Sequence, residues 1–170
     1  MKKKIRVAIN GLGRIGRNIF RILLEQPDIC LVGINEINPD IYNWAYTVNY
    51  DTNFGKLNEK VSIDKNQIVF REKRIFTSTS KDLLDIPISK WDVDIIIDCT
   101  GVKENISSSR KLIKRKLVKK VLFTHSPDNL DFYMILGVNE REYDPNKHHM
   151  ISSSICDATA IAPITKIIND

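Results

Sequence analysis

The sequence predicts a doubly wound α/β fold, a mostly parallel sheet with a small antiparallel excursion, on three observations. Short apolar runs recur along the chain with helical patterns between them. These runs are near-continuously apolar rather than alternating, as expected of strands covered on both faces. The first run ends in a glycine-rich turn that leads straight into a helix.

The elements follow in order. Ile5–Ile9 is a short apolar strand ended by Asn10-Gly11, and Ile15–Leu24 carries apolar residues at helical spacing up to Gln26-Pro27. Ile29–Ile34 is a second buried strand, and Val93–Asp98, Lys119–Thr124 and Phe132–Val138 are three more. Ser107–Lys116 reads as a helix, with Ile113 and Leu117 one turn apart. Lys60–Ser80 breaks the pattern with period-2 alternation around polar turns, which predicts antiparallel strands at an edge or in a small side sheet.

Composition narrows the function classes. A chain of 170 residues allows one domain with a real core, or one domain and the beginning of another. No apolar run approaches membrane-spanning length, and the Met-Lys-Lys-Lys start runs into a strand rather than an apolar signal core. No membrane partner is expected, and the cytoplasm is the expected compartment. The net charge is +5, and the basic stretch Arg110–Lys120 reads as the solvated face of a helix. No aromatic residues interleave there to stack bases, so no nucleic-acid partner is expected. Cys30, Cys99 and Cys156 are odd in number, far apart and without C-x-x-C pairing, which argues against a disulfide framework or structural zinc. His148 and His149 lie near Cys156, but neighbours on an extended segment point to opposite faces, and no metal site is expected.

The turn after the first strand is Gly11-Leu12-Gly13-Arg14-Ile15-Gly16, a G-x-G-x-x-G pattern in its required strand-to-helix context. Gly11 suits the tight turn, Gly13 lets the backbone approach a pyrophosphate, and Gly16 allows the helix to pack close to the strand. The free N–H groups of the helix start then face the phosphates, helped by the helix dipole. Glu36 follows the second strand, twenty positions after Gly16, where a carboxylate accepts hydrogen bonds from an adenosine ribose. Its charge opposes a 2′-phosphate, so NAD is the expected cofactor rather than NADP.

With these motifs in place, the chain resembles the glyceraldehyde-3-phosphate dehydrogenase family, in the broad sense that includes erythrose-4-phosphate dehydrogenase. The resemblance runs through nearly the whole chain. "VAINGLGRIGR" opens it, with Leu12 where phenylalanine is usual. "NYDTNFG" is similar to K-Y-D-[ST]-x-H-G, with Phe54 in place of histidine. "DCTG", "KKVLFTH" and "ILGVN" fall in the family's order, and "ISSSICDATAIAP" resembles S-N-A-S-C-T-T-N-C-L-A-P. The "INE" at Glu36, with "DCTGV" and "KKVLFTH", is closer to the erythrose-4-phosphate branch.

The resemblance implies a Rossmann-type NAD-binding domain acting with a phosphorylated aldehyde as its small-molecule partner. It implies Arg14 and Ile15 along the pyrophosphate, Glu36 at the ribose, Lys81 near the adenine, and Thr100 and Thr124 lining the cofactor cleft. It implies Cys156 as the nucleophile. A cysteine at a helix N-terminus gains thiolate character from the dipole and the free N–H groups. The other reading of Cys156 is a small buried apolar residue, common for a free cysteine. The flanking positions depart from the family: Ile155 and Asp157 replace serine and threonine, Thr159 an asparagine and Ala160 a cysteine. Asp157 has two readings, a charge opposing the thiolate or a helix cap.

The expected organisation is residues 1–150 as the NAD-binding domain and 151–170 as a nucleophile-bearing segment that begins an otherwise absent catalytic domain. The family's general-base histidine and substrate-phosphate ligands belong to that second domain, through which a homo-oligomer is expected. His125, His148 and His149 match no base in the pattern. The chain then reads either as the cofactor half of an oxidoreductase, inactive in isolation, or as a stand-alone, truncated, non-catalytic NAD-binding protein.

Overall fold

The computed structural model describes residues 3–169. Strand β1 (Ile5–Asn10) leads into helix α1 (Arg14–Leu24), then β2 (Ile29–Asn35), α2 (Ile41–Asn49) and a hairpin of β3 (Tyr50–Asp51) and β4 (Gly55–Lys56). Strands β5 (Ser62–Asp64), β6 (Gln67–Phe70) and β7 (Lys73–Ser78) follow, then the short helix α3 (Ile88–Trp91), β8 (Ile95–Asp98), α4 (Asn105–Lys114) and β9 (Lys120–Phe123). The chain continues through β10 (Phe132–Tyr133), β11 (Met150–Ser152) and α5 (Cys156–Asn169).

One sheet gathers nine of these strands in the order β10-β11-β9-β8-β1-β2-β7-β6-β5. From β10 to β7 every pairing is parallel, and only β7–β6 and β6–β5 are antiparallel. The chain winds outward from β1 first through β2 and later through β8, so a topological switch point lies between β1 and β8. Ligand clefts of open α/β sheets form at such a point, beyond the carboxyl ends of the strands.

Alternation within each strand divides the core. Val7 and Ile9 face α1 and α2, packing with Phe20, Leu23, Trp44 and Val48. Ala8, Val32, Ile96 and Val121 face α3 and α4, with Trp91 and Leu112. α2 begins at an aspartate cap: the Asp40 carboxylate accepts the amides of Tyr42 at 3.0 Å and Asn43 at 3.1 Å.

The structure sharpens several expectations. The antiparallel segment is the edge of the main sheet, because β7 pairs in parallel with β2 as well as antiparallel with β6. Of the expected strand Phe132–Val138 only Phe132 and Tyr133 pair. The chain then turns at Gly137, at φ 86°, and Asn139 fixes the turn by accepting from Ile135 N and donating to Tyr133 O. Apolar content suggested a strand there, and the amide overrode it. The helix expected at Ser107–Lys116 runs from Asn105 to Lys114 and ends before Lys116, whose φ is 55°.

Candidate functional site

A cleft of about 240 Å³ lies at the carboxyl ends of β1, β2, β7 and β8. Its lining includes Gly11, Gly13, Glu36, Lys81 and Thr100 of the residues singled out above, together with Asn10, Asn35, Ser80, Cys99 and Asn105. The turn joining β1 to α1 forms one wall. Gly11 takes φ 89°, a left-handed conformation that favours glycine, and its amide donates to Asn35 O at 2.8 Å. Gly13 is the N-cap of α1 and supplies no side-chain cap. Among the described residues nothing lies within 4 Å of the position its Cβ would take, so a side chain there would stand in open space at the cleft wall. Gly16 is buried beneath the turn, its missing Cβ only 2.0 Å from Gly11 O.

Glu36 reaches across from β2. Its Oε2 accepts the Leu12 amide at 2.6 Å and its Oε1 the Asn38 amide at 3.1 Å. The carboxylate is therefore fixed against the glycine turn while lining the cleft. Arg14 and Ile15 are exposed in the first turn of α1 and lie outside this lining. Thr124 also lies outside it, with its hydroxyl donating to Asp98 O at 3.2 Å beyond the end of β9. Cys99 lines the floor, and burial, reinforced by the nearby Asp98 charge and opposed by a Thr124 hydrogen bond, pushes its thiol up to about 12.

Cys156 is the first residue of α5 and is exposed. It is not among the residues lining the cleft. The segment before it is tied to the end of β9: Ser152 Oγ donates to His125 O at 2.7 Å, and Ser126 Oγ donates to Ser154 O. Asp157 is the second helical residue rather than the N-cap. Its Oδ1 accepts the adjacent Ala158 amide at 3.0 Å, turning the carboxylate into the first turn. No described residue of α5 is buried. His148 stacks on Phe132 with ring centroids 4.5 Å apart, and the ring nitrogens of His149 lie 3.1 Å from the carbonyls of Lys119 and Asn146. Both histidines are held structurally.

The "NYDTNFG" motif forms the turn of the β3–β4 hairpin. Asp51 accepts the amides of Phe54 and Asn53, which hold its carboxyl below the usual carboxylate range, and Phe54 is exposed. A set of buried polar residues lies under the cleft, Asn10, Asn35, Asp98 and Asn105, to which no sequence motif points. The available signal was that the apolar runs of β1, β2 and β8 each end in an amide or an acid.

A parallel doubly wound sheet, a glycine turn without a side-chain cap and an acid beyond the second strand define a dinucleotide-binding domain of the Rossmann type. Residues 5–106 match the family model described as glyceraldehyde 3-phosphate dehydrogenase, NAD binding domain. The chain belongs to this family, and the cofactor of its nucleotide-binding domain is NAD. It is similar to glyceraldehyde-3-phosphate dehydrogenase of Geobacillus stearothermophilus, 34% identical over 98% of this chain and 49% of the relative. Glyceraldehyde-3-phosphate dehydrogenase 2 of Streptomyces avermitilis is 39% identical over 98% of this chain and 49% of its own length. Glyceraldehyde-3-phosphate dehydrogenase 2 of Trichormus variabilis is likewise 39% identical, over 98% and 50%. The chain thus spans about half the length of the curated relatives it matches. No helix among the described residues is long and apolar enough to cross a membrane.

Proposed function

We propose that the chain is the cofactor-binding half of a cytoplasmic, NAD-dependent oxidoreductase acting on a phosphorylated aldehyde, with Cys156 as its nucleophile. One juxtaposition supports this reading: a family-matched NAD cleft is followed, in the same chain, by an exposed cysteine at the start of a helix. Residues 1–150 form the NAD-binding domain, and residues 151–170 carry the nucleophile into a second domain, through which copies assemble. The cleft residues fit the cofactor, since Gly13 leaves open space at its wall and Glu36 offers carboxylate oxygens to ribose hydroxyls. Gly11, Gly13, Gly16, Arg14 and Ile15 serve the pyrophosphate, and Lys81, Thr100 and Thr124 the rest of the dinucleotide. Bound NAD supplies the hydride acceptor.

The Cys156 thiolate adds to the aldehyde carbon, and the carbonyl oxygen takes a proton to complete a thiohemiacetal. Loss of hydride and of that hydroxyl proton leaves a thioester, which water or phosphate cleaves to free the thiolate. The proton acceptor is a base of the second half, and a positioned base is commonly worth ~10²–10⁴-fold.

The test is a chimera of this chain with the second half of the Geobacillus stearothermophilus relative, assayed for NADH formation with glyceraldehyde 3-phosphate and erythrose 4-phosphate. The chimera should turn over one of them. Cys156→Ser should lower the rate by on the order of 10⁴-fold or more, and the isolated chain should show no steady-state activity. A chimera that binds NAD yet turns over neither aldehyde, or a Cys156→Ser variant that remains active, contradicts the assignment.

A further inference from the structure

We infer that Asp98 is a positioning residue for the dinucleotide, its carboxyl group locking Thr100 and Asn105 into the floor of the cofactor cleft. The inference rests on the NAD reading of that cleft. Asp98 ends a strand of three isoleucines and is 0% exposed. Burying a carboxyl group is costly unless its oxygens are hydrogen-bonded. Here they accept four bonds: Thr100 Oγ1 at 2.7 Å, Thr100 N at 3.0 Å, Asn105 Nδ2 at 2.9 Å and Asn10 Nδ2 at 3.4 Å. No lysine, arginine or histidine forms an ion pair with it among the described residues. A fourth apolar residue would fill the strand end at less cost, so the acid is explained by what it holds.

What it holds is the Thr100 turn, packed directly against the glycine turn. The single hydroxyl proton of Thr100 is committed to Asp98, while its oxygen accepts from Asn105 Nδ2 at 2.9 Å and Val102 N at 3.1 Å. The Thr100 hydroxyl therefore has no proton to offer a ligand. Its methyl group is turned toward the glycine turn, 2.9 Å from the position a Gly11 Cβ would occupy. The same network continues sideways, because β2, β1 and β8 place Asn35, Asn10 and Asp98 in register. Asn35 donates to Asn10 Oδ1 at 2.8 Å and exchanges two bonds with the Ser80 backbone, beside Lys81. One buried acid thus couples three walls of the cleft: the glycine turn, the Thr100 turn and the loop after β7.

NAD affinity measured by calorimetry on the 170-residue chain, beside its urea unfolding midpoint, tests this. Asp98→Asn exchanges an acceptor for an amide that confronts Asn105 Nδ2, and Thr100→Val keeps the shape of threonine without its hydroxyl. Each should weaken NAD binding by about 10–100-fold, the scale of a lost bond to a charged group. Thr100→Ser, which keeps the hydroxyl, should recover most of the affinity lost in Thr100→Val. The double variant should bind no more weakly than the worse single one, because both changes remove the same contact. A Thr100→Val chain that binds like the native one, a Thr100→Ser chain no better than Thr100→Val, or fully additive losses would overturn the assignment. Should Asp98→Asn fail to fold, the Thr100 pair decides alone. A native chain that does not bind NAD contradicts the cofactor reading instead, and is told apart by that control.

Discussion

Gly16→Ala is expected to weaken NAD binding strongly and to destabilise the chain by roughly 1–3 kcal/mol, the scale of forced overpacking in a tight core. Gly16 lies inside α1, where replacing glycine by alanine ordinarily gains up to about 1 kcal/mol. Here the sign reverses. The added methyl would lie 2.0 Å from Gly11 O and 3.0 Å from Gly11 C. Those atoms are backbone and cannot swing aside, so either α1 lifts from the sheet or the glycine turn opens. Opening the turn also disturbs the Gly11–Asn35 bond and the Leu12 amide held by Glu36, the wall of the NAD cleft. Calorimetry with NAD and a urea titration check both parts. A stable variant with native affinity would show that α1 does not depend on this close approach.

Gly33→Ala should have the larger effect on stability, about 2–5 kcal/mol, with its cause on the opposite face of the sheet. The Cβ would meet the Trp91 ring at 2.1, 2.4 and 2.8 Å. Trp91 is 3% exposed and stacks on Phe76 with centroids 6.1 Å apart, so the indole has nowhere to go. The urea midpoint should fall with an unchanged slope, and the tryptophan emission should shift to the red. Adding Trp91→Leu should restore part of the loss by making room. Equal stability of Gly33→Ala and the native chain would show that α3 packs on β2 with slack.

The elements legible in the sequence were those whose apolar pattern and punctuation agree. "IRVAIN", "ICLVGIN" and "IIID" read as buried parallel strands because their apolar runs, broken only by Arg6 near the start of the first, end in a polar residue. The glycine turn and Glu36 were legible because spacing alone carries their geometry. α2 was not legible: Ile41–Asn49 mixes aromatic and polar residues without a clean stripe, and the one available signal was Asp40, which caps it. β10 was over-read, since Met134 to Val138 are largely apolar yet lie in a turn built by Asn139. The polar network under the cleft was hidden for a different reason. Asn10, Asn35 and Asp98 are far apart in sequence and meet only through the register of three parallel strands. The exposure of Cys156 was equally out of reach, because "ICDATAIAPITKII" is as apolar as a core helix although no described residue of α5 is buried.

The cleft between the glycine turn and Glu36 should hold NAD and reject the 2′-phosphate of NADP. Calorimetric titration of the isolated chain with each dinucleotide, repeated on Glu36→Ala, measures this. The native chain should bind NAD with one site per chain and NADP at least about tenfold more weakly, since a carboxylate and a phosphate a few ångströms apart repel even at an effective dielectric of about 20. Glu36→Ala should narrow that gap from the NAD side, by losing the ribose contact, and from the NADP side, by losing the repulsion. A native chain that binds NADP as tightly as NAD would remove Glu36 from the ribose, and one that binds neither at millimolar concentration would show that the cleft is not a dinucleotide site.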